Sequence, residues 1–289
     1  MVIVVMGIVA SIGSDIIANL YKNYIKTRAI NKLQSQSELV LDQIAKRLAS
    51  RIKDSVIARQ SGAANFDKYV TLTDANDSYQ ILEWIGKDTE SFNGVSKPGW
   101  SGFIDLNNTL TTNPTLKTTG SELNTTNAII QALSYGEVSL LDTDTINKPA
   151  IIFKGNSVFN LEDFGWSGVD GNYTHKVSFT IGTDDVLNLV ETNATKPKEI
   201  FEQYDLAWSA YAIVPEGTQN DFNLTLHYNY QPWENEKYHL NSKKSVLIEH
   251  ASTFKFTKIG DTIRLKLCIH DNNQSGNYDF AFCKEKVVY

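Results

Sequence analysis

The chain has 289 residues, 42% of them hydrophobic and 21% charged, with six prolines and a net charge of -6. These values suit a folded protein with one long element plus a sizeable domain, or two small domains. They exclude long proline-rich linkers and argue against a general nucleic-acid binder. The charge is uneven: residues 21–60 carry +6, whereas residues 61–289 carry -11, a basic stalk on an acidic body.

The first predicted element opens with MVIVVMGIVASIG, 13 apolar or small residues ending at Gly13. A helix crossing the hydrocarbon core needs roughly 20 apolar residues. No basic region precedes the run and no clear small-x-small cleavage pattern ends it, so it is a poor secretory signal. Residues 15–59 then contain neither Pro nor Gly. Ile30, Leu33, Ser37, Val40, Leu41, Ile44, Leu48, Ile52 and Val56 recur at spacings of three and four, one apolar stripe on a helix. Together the two stretches predict a helix of about 55–60 residues, of order 85 Å at 1.5 Å per residue. A body of this size does not bury such a helix along its length. Its first half must find burial in lipid or against other copies.

From Ser61 the texture changes to Thr, Asn, Asp and aromatic residues with short period-two runs. Residues 68–73, 79–86, 150–155 and 175–182 read as strands, and 122–136 as a short helix ended by Gly136. The C-terminal third is clearest. LAWSAYAIV, FNLTLHYNY, SVLIEHASTFKFTKIGDTIRLKLCIH and KVVY form a run of antiparallel strands, with a tight turn at Ile259–Gly260–Asp261. The tetrapeptide GWSG occurs twice, but Phe103 and Val169 stand where a G-x-S-x-G nucleophile elbow has its last Gly. Both copies read as turns anchored by Trp100 and Trp166.

No catalytic residues are assigned. The five histidines include no H-x-x-x-H pair, although His227 and His239 stand where a hairpin would bring them face to face. No phosphate-binding glycine loop occurs, and no carboxylates stand out as a general acid/base pair. Cys268 and Cys283 are unremarkable for a cytosolic chain, but the apolar N-terminus suggests export, where a disulfide between them is favoured. Between them Asp271, Asn273, Ser275, Asn277 and Asp279 follow the first half of an EF-hand-type loop, with Gly276 at the turn. Calcium is the one cofactor this pattern suggests. Phe282 replaces the closing Glu, and a polar hairpin tip explains the same residues.

A long helix, apolar at its start and amphipathic after, feeding a β-rich head with a C-terminal cysteine loop, resembles the type IV pilin family. VIVVMGIVASIG is similar to the mature pilin N-terminus beyond its first residues, with Gly7 matching the family's intrahelical glycine. ANLYKNYIKTRAINKL resembles the stretch where pilin helices leave the membrane, and residues 246–270 resemble late strands of minor pseudopilins of type II secretion systems. The resemblance implies an α+β, type IV pilin-like fold. Residues 1–20 would be the transmembrane and assembly part of the helix, 21–60 its amphipathic continuation, and 61–289 a periplasmic β-rich head. Val5, Gly7, Ile8, Val9 and Ile12 would form the membrane and assembly surface. The implied function is that of a minor pilin or pseudopilin, non-enzymatic, anchored by a single pass in the bacterial inner membrane before entering a pilus or pseudopilus. Its partners would be other pilin or pseudopilin subunits, the inner membrane and a prepilin peptidase. The family's leader, its early glutamate and the helix-kinking proline of major pilins do not appear, and Asp15 takes the proline's place. The expectation is therefore that Met1 is an internal methionine of a longer helix. About seven further residues would bring the apolar run to bilayer length. The rival expectation is a membrane-tethered periplasmic module binding glycans through its aromatic residues.

Overall fold

Helix α1 spans Val2–Ala49, 48 residues and about 70 Å long. The computed structural model describes residues 2–94, 97–155, 160–167, 171–190, 197, 199–271 and 281–289, with residues 2–5 and 8 described by backbone alone. The helix ends 11 residues before the expected residue 60. Ile52 and Val56 are buried and continue the helical spacing, yet they belong to the chain that turns away. The Ile52 amide donates to the Ile85 carbonyl at 2.9 Å instead of continuing the helical ladder. Arg51 completes the stop. Its guanidinium donates to the Leu48 carbonyl (3.0 Å), the Tyr289 carbonyl (3.2 Å) and the Asp261 carbonyl (3.0 Å). A cation at a helix C-terminus satisfies orphan carbonyls and complements the dipole.

Two antiparallel sheets follow. β1 (Ile57–Gln60), β2 (Tyr69–Thr71), β3 (Tyr79–Gly86), β9 (Ser209–Thr218), β10 (Asp221–Tyr230), β11 (Lys243–Ile259), β12 (Thr262–His270) and β13 (Ala281–Val288) form a curled eight-stranded sheet in the order β13-β12-β11-β10-β9-β3-β1-β2. β4 (Thr115–Lys117), β5 (Ala150–Lys154), β6 (His175–Ser178), β7 (Val186–Leu189) and β8 (Gln203–Ala207) form the second, ordered β4-β7-β6-β5-β8. A short helix, α2 (Leu123–Leu133), covers the second sheet.

The expected α+β, pilin-like fold class is therefore corrected: with 13 strands in two sheets, the described chain is mostly β, with one long N-terminal helix. Residues 90–200, which carry no assignable motif, supply most of the second sheet. Its strands are only three to five residues long. β5 and β6 match the strands expected at 150–155 and 175–182, whereas β4 and β7, three and four residues long, show too little alternation to be read.

Three apolar cores stack the layers. The stripe Leu33, Val40, Leu41, Ile44 and Leu48 packs on one face of the large sheet with Leu82, Trp84, Leu224, Leu265 and Leu267. On its other face Ile81, Ile85, Ala210 and Ala212 meet Ala150, Ile152 and Ala207 of the second sheet. The far face of that sheet packs Ile151, Phe153 and Leu206 against Leu123 and Ile130 of α2. β3 is thus buried on both faces, which is why its apolar run is nearly unbroken. Trp100 and Trp166 anchor the GWSG turns as expected, donating to the Asp88 carbonyl (3.1 Å) and the Ser55 carbonyl (3.0 Å).

Cys268 and Cys283 are bonded, directly opposite each other on β12 and β13, and staple the sheet's edge strand. The edge is also tied to α1 by Lys284–Glu38 (2.8 Å) and Lys286–Asp42 (2.7 Å). These two pairs are exposed and contribute little. Closing the loop between the cysteines contributes about 3 kcal/mol in the chain-entropy model. Reduction, or the Cys268→Ser/Cys283→Ser double variant, is expected to lower unfolding free energy by about that amount. Urea titrations with and without reductant measure it, and coincident curves would refute the role.

Asp88, in the loop after β3, is buried, and burial pushes its carboxyl up to about 6 despite bonds from the Ser91 hydroxyl and amide. The folded state therefore holds this proton more tightly than the unfolded one. Stability from this group is complete below its unfolded value of 3.8 and is lost as pH rises through about 6, a span worth ~3 kcal/mol. Glu236 is pushed the same way by burial, so the diagnostic is the difference between chains. In Asp88→Asn the fall in unfolding free energy between about pH 4 and 7 is expected to be shallower than in the unaltered chain. Equal slopes in urea titrations across that range would contradict this assignment.

Candidate functional site: an exposed apolar helix beside a sheet-end cleft

Helix α1 has two halves with opposite surroundings. From Leu33 onward its apolar stripe is buried under the sheet. Before that, Met6, Val9, Ile12, Ile16, Ile17, Leu20, Tyr21 and Tyr24 are all exposed, Val9 at 63% and Ile12 at 55%. At 3.6 residues per turn these eight side chains fall within about half of the circumference, one broad apolar face. An isolated surface hydrophobe needs no account, but a contiguous run of this size marks an interaction surface. Gly7 and Gly13 leave the surface open, since a Cβ at either would meet no atom within 4 Å.

Of the expected assembly residues, Gly7, Val9 and Ile12 lie on this projecting half; the side chains of Val5 and Ile8 lie outside the described residues. The single-pass anchor is not carried by the described residues: among them no helix is long and apolar enough to cross a membrane. Of the expected calcium ligands, Asp271 lies just past β12, and Asn273, Ser275, Asn277 and Asp279 lie outside the described residues.

A cleft of about 640 Å³ opens where the helix leaves the sheet. Lys32, Gln36 and Leu39 of α1 form one wall, and Glu249, His250 and His270 form part of the other. His227 and His239 both pack against the Tyr238 ring, at 5.5 and 5.2 Å between ring centroids. His227 Nδ1 lies 2.7 Å from the Ser242 hydroxyl, while the His239 ring packs on Phe66 and Tyr238. His250 and His270 also meet, with ring centroids 5.8 Å apart. Sequence reasoning missed them because the strand irregularity that pairs them leaves no turn residue in the sequence.

The chain matches no protein-family model, no curated protein and no solved structure.

Proposed function

We propose that the protein is a structural assembly subunit of the minor pilin or pseudopilin kind, acting in a type II secretion pseudopilus or a type IV pilus. The observation that carries this reading is the projecting half of α1, whose large apolar side chains from Met6 to Tyr24 have no cover in the single chain. In this reading the segment is held in the inner membrane, with the β-rich body in the periplasm. It then packs against the helices of other subunits. The body supplies position or contact, and the work is assembly rather than catalysis. The disulfide between Cys268 and Cys283 is consistent with an oxidising compartment.

The rival, a tethered glycan-binding module, finds less support, because all five tryptophans are buried and none offers a stacking face. Charged substitutions at Val9 and Ile12 test the proposal through membrane fractionation and subunit cross-linking. Normal fractionation and cross-linking in those variants would overturn it.

A further inference from the structure

The geometry points to a binding site for a zinc-type divalent cation formed by Asp221, His250 and His270, independent of the assembly reading. The three residues sit on adjacent strands at one end of the large sheet: Asp221 opens β10, His250 lies within β11 and His270 closes β12. One donor atom from each lies within 4.8 Å of the others. His250 Nδ1 is 3.0 Å and His270 Nε2 is 3.8 Å from the same oxygen, Asp221 Oδ1. Donors around a tetrahedral zinc, at 2.0–2.1 Å from the metal, lie roughly 3.3 Å apart, within the span of these separations. Two imidazoles and one carboxylate are a donor set that zinc and its neighbours take and that calcium does not favour.

The backbone is shaped to bring these side chains together. β11 pairs with β12 in one register from Ile259↔Thr262 to Thr253↔Cys268, and then shifts so that Ala251 faces Ile269. Continued without the shift, that register would set His250 against Asp271; the shift sets it against His270. On its other side β11 holds two residues, Glu249 and His250, against the single Asn223 of β10. Such bulges re-aim side chains and recur beside functional sites. His250 itself has φ +57°, a left-handed conformation that is uncommon outside glycine. Strain of this kind persists where the surroundings over-determine it, and it clusters at ligand sites. His250 and His270 line the cleft together with Lys32 and Glu249. Among the described residues these three side chains supply the donors, and a tetrahedral zinc takes a fourth.

The test uses the full chain in detergent micelles, stripped of metal by a chelator and dialysed. Zinc chloride is titrated calorimetrically, and cobalt(II) is added in parallel to read its visible absorption. The expected result is one saturable zinc equivalent, intense cobalt bands characteristic of a four-coordinate site, and no displacement of cobalt by excess calcium. Asp221→Asn, His250→Asn and His270→Gln are each expected to weaken zinc binding on the order of 100-fold, since losing even an outer-shell partner costs 10–100-fold. Asparagine at 250 is chosen because it tolerates the left-handed backbone. Asp221→Asn and His270→Gln carry the test if that variant misfolds by circular dichroism. Absence of saturable binding, or equal affinity in the folded variants, overturns the site.

Discussion

If the proposed assembly role holds, aspartate at both Val9 and Ile12 is expected to remove the protein from the membrane fraction and from cross-linked assemblies while leaving its body folded. Each charge placed in the middle of an apolar helix costs about 2.5–3.5 kcal/mol on insertion scales, so the pair costs roughly 5–7 kcal/mol. That is a factor of about 10⁴ or more in partitioning. The same charges would be equally unwelcome in a dry contact with another subunit's helix. The body is insulated because buried packing of α1 begins at Leu33, some ~30 Å along the helix from Ile12. Near-ultraviolet circular dichroism and urea unfolding of the purified variant should therefore match the unaltered chain. A variant that still fractionates and cross-links normally would remove the support for assembly. A body that unfolds would show that the projecting half stabilises the fold after all.

The second large effect is expected at Glu83. Its carboxylate is buried, 2.5 Å from Arg59 Nε, and it also accepts from the Tyr230 hydroxyl at 2.7 Å. Arg59 is fully buried. It donates further to the Phe66 and Trp166 carbonyls and lies over the Phe66 ring at 4.1 Å and the Tyr69 ring at 4.9 Å. Burial, with the carboxylate adding to it, pushes the Tyr230 phenol well above its ordinary value, so it stays protonated and donates. Glu83→Ala leaves the guanidinium charged and uncompensated beneath the second sheet. Breaking one side of a buried pair costs about 3–5 kcal/mol, a large part of the 5–15 kcal/mol that holds a typical domain together. Arg59→Met/Glu83→Leu removes both charges and is expected to recover most of that loss, because well-packed apolar replacements of buried pairs are often neutral. Urea midpoints for the singles and the double settle the matter. A Glu83→Ala loss below about 1 kcal/mol, the value of an exposed pair, would refute this role.

The sequence makes some of this legible and hides the rest for identifiable reasons. β10–β12 were readable from their long alternating runs and the Ile259–Asp261 turn, and β3 from its apolar run, though not its partners. The buried stripe of α1 was readable from its spacing, but its end was not. Nothing at Ser50 or Arg51 breaks a helix, and the stop comes from hydrogen bonds to residues 85, 261 and 289. Arg59 counted as one of the basic residues of a stalk, whereas tertiary packing buries it with Glu83. The Asp221, His250 and His270 cluster depends on a register shift inside a strand. A slip of one residue in an antiparallel pair has no compositional signature.

The anchorage at Arg51 has a mechanical consequence. One guanidinium joins the end of the first element, the β11–β12 turn and the last residue of the chain. From there β13 runs alongside the helix in the same direction, with Lys284 on Glu38 and Lys286 on Asp42. A pull along the helix axis therefore loads the strand in shear, many bonds at once, rather than peeling it bond by bond. The crosslink at Cys268 and Cys283 passes that load to the next strand. The base of the helix, the β11–β12 turn and the edge strand are thus tied together as one mechanical unit.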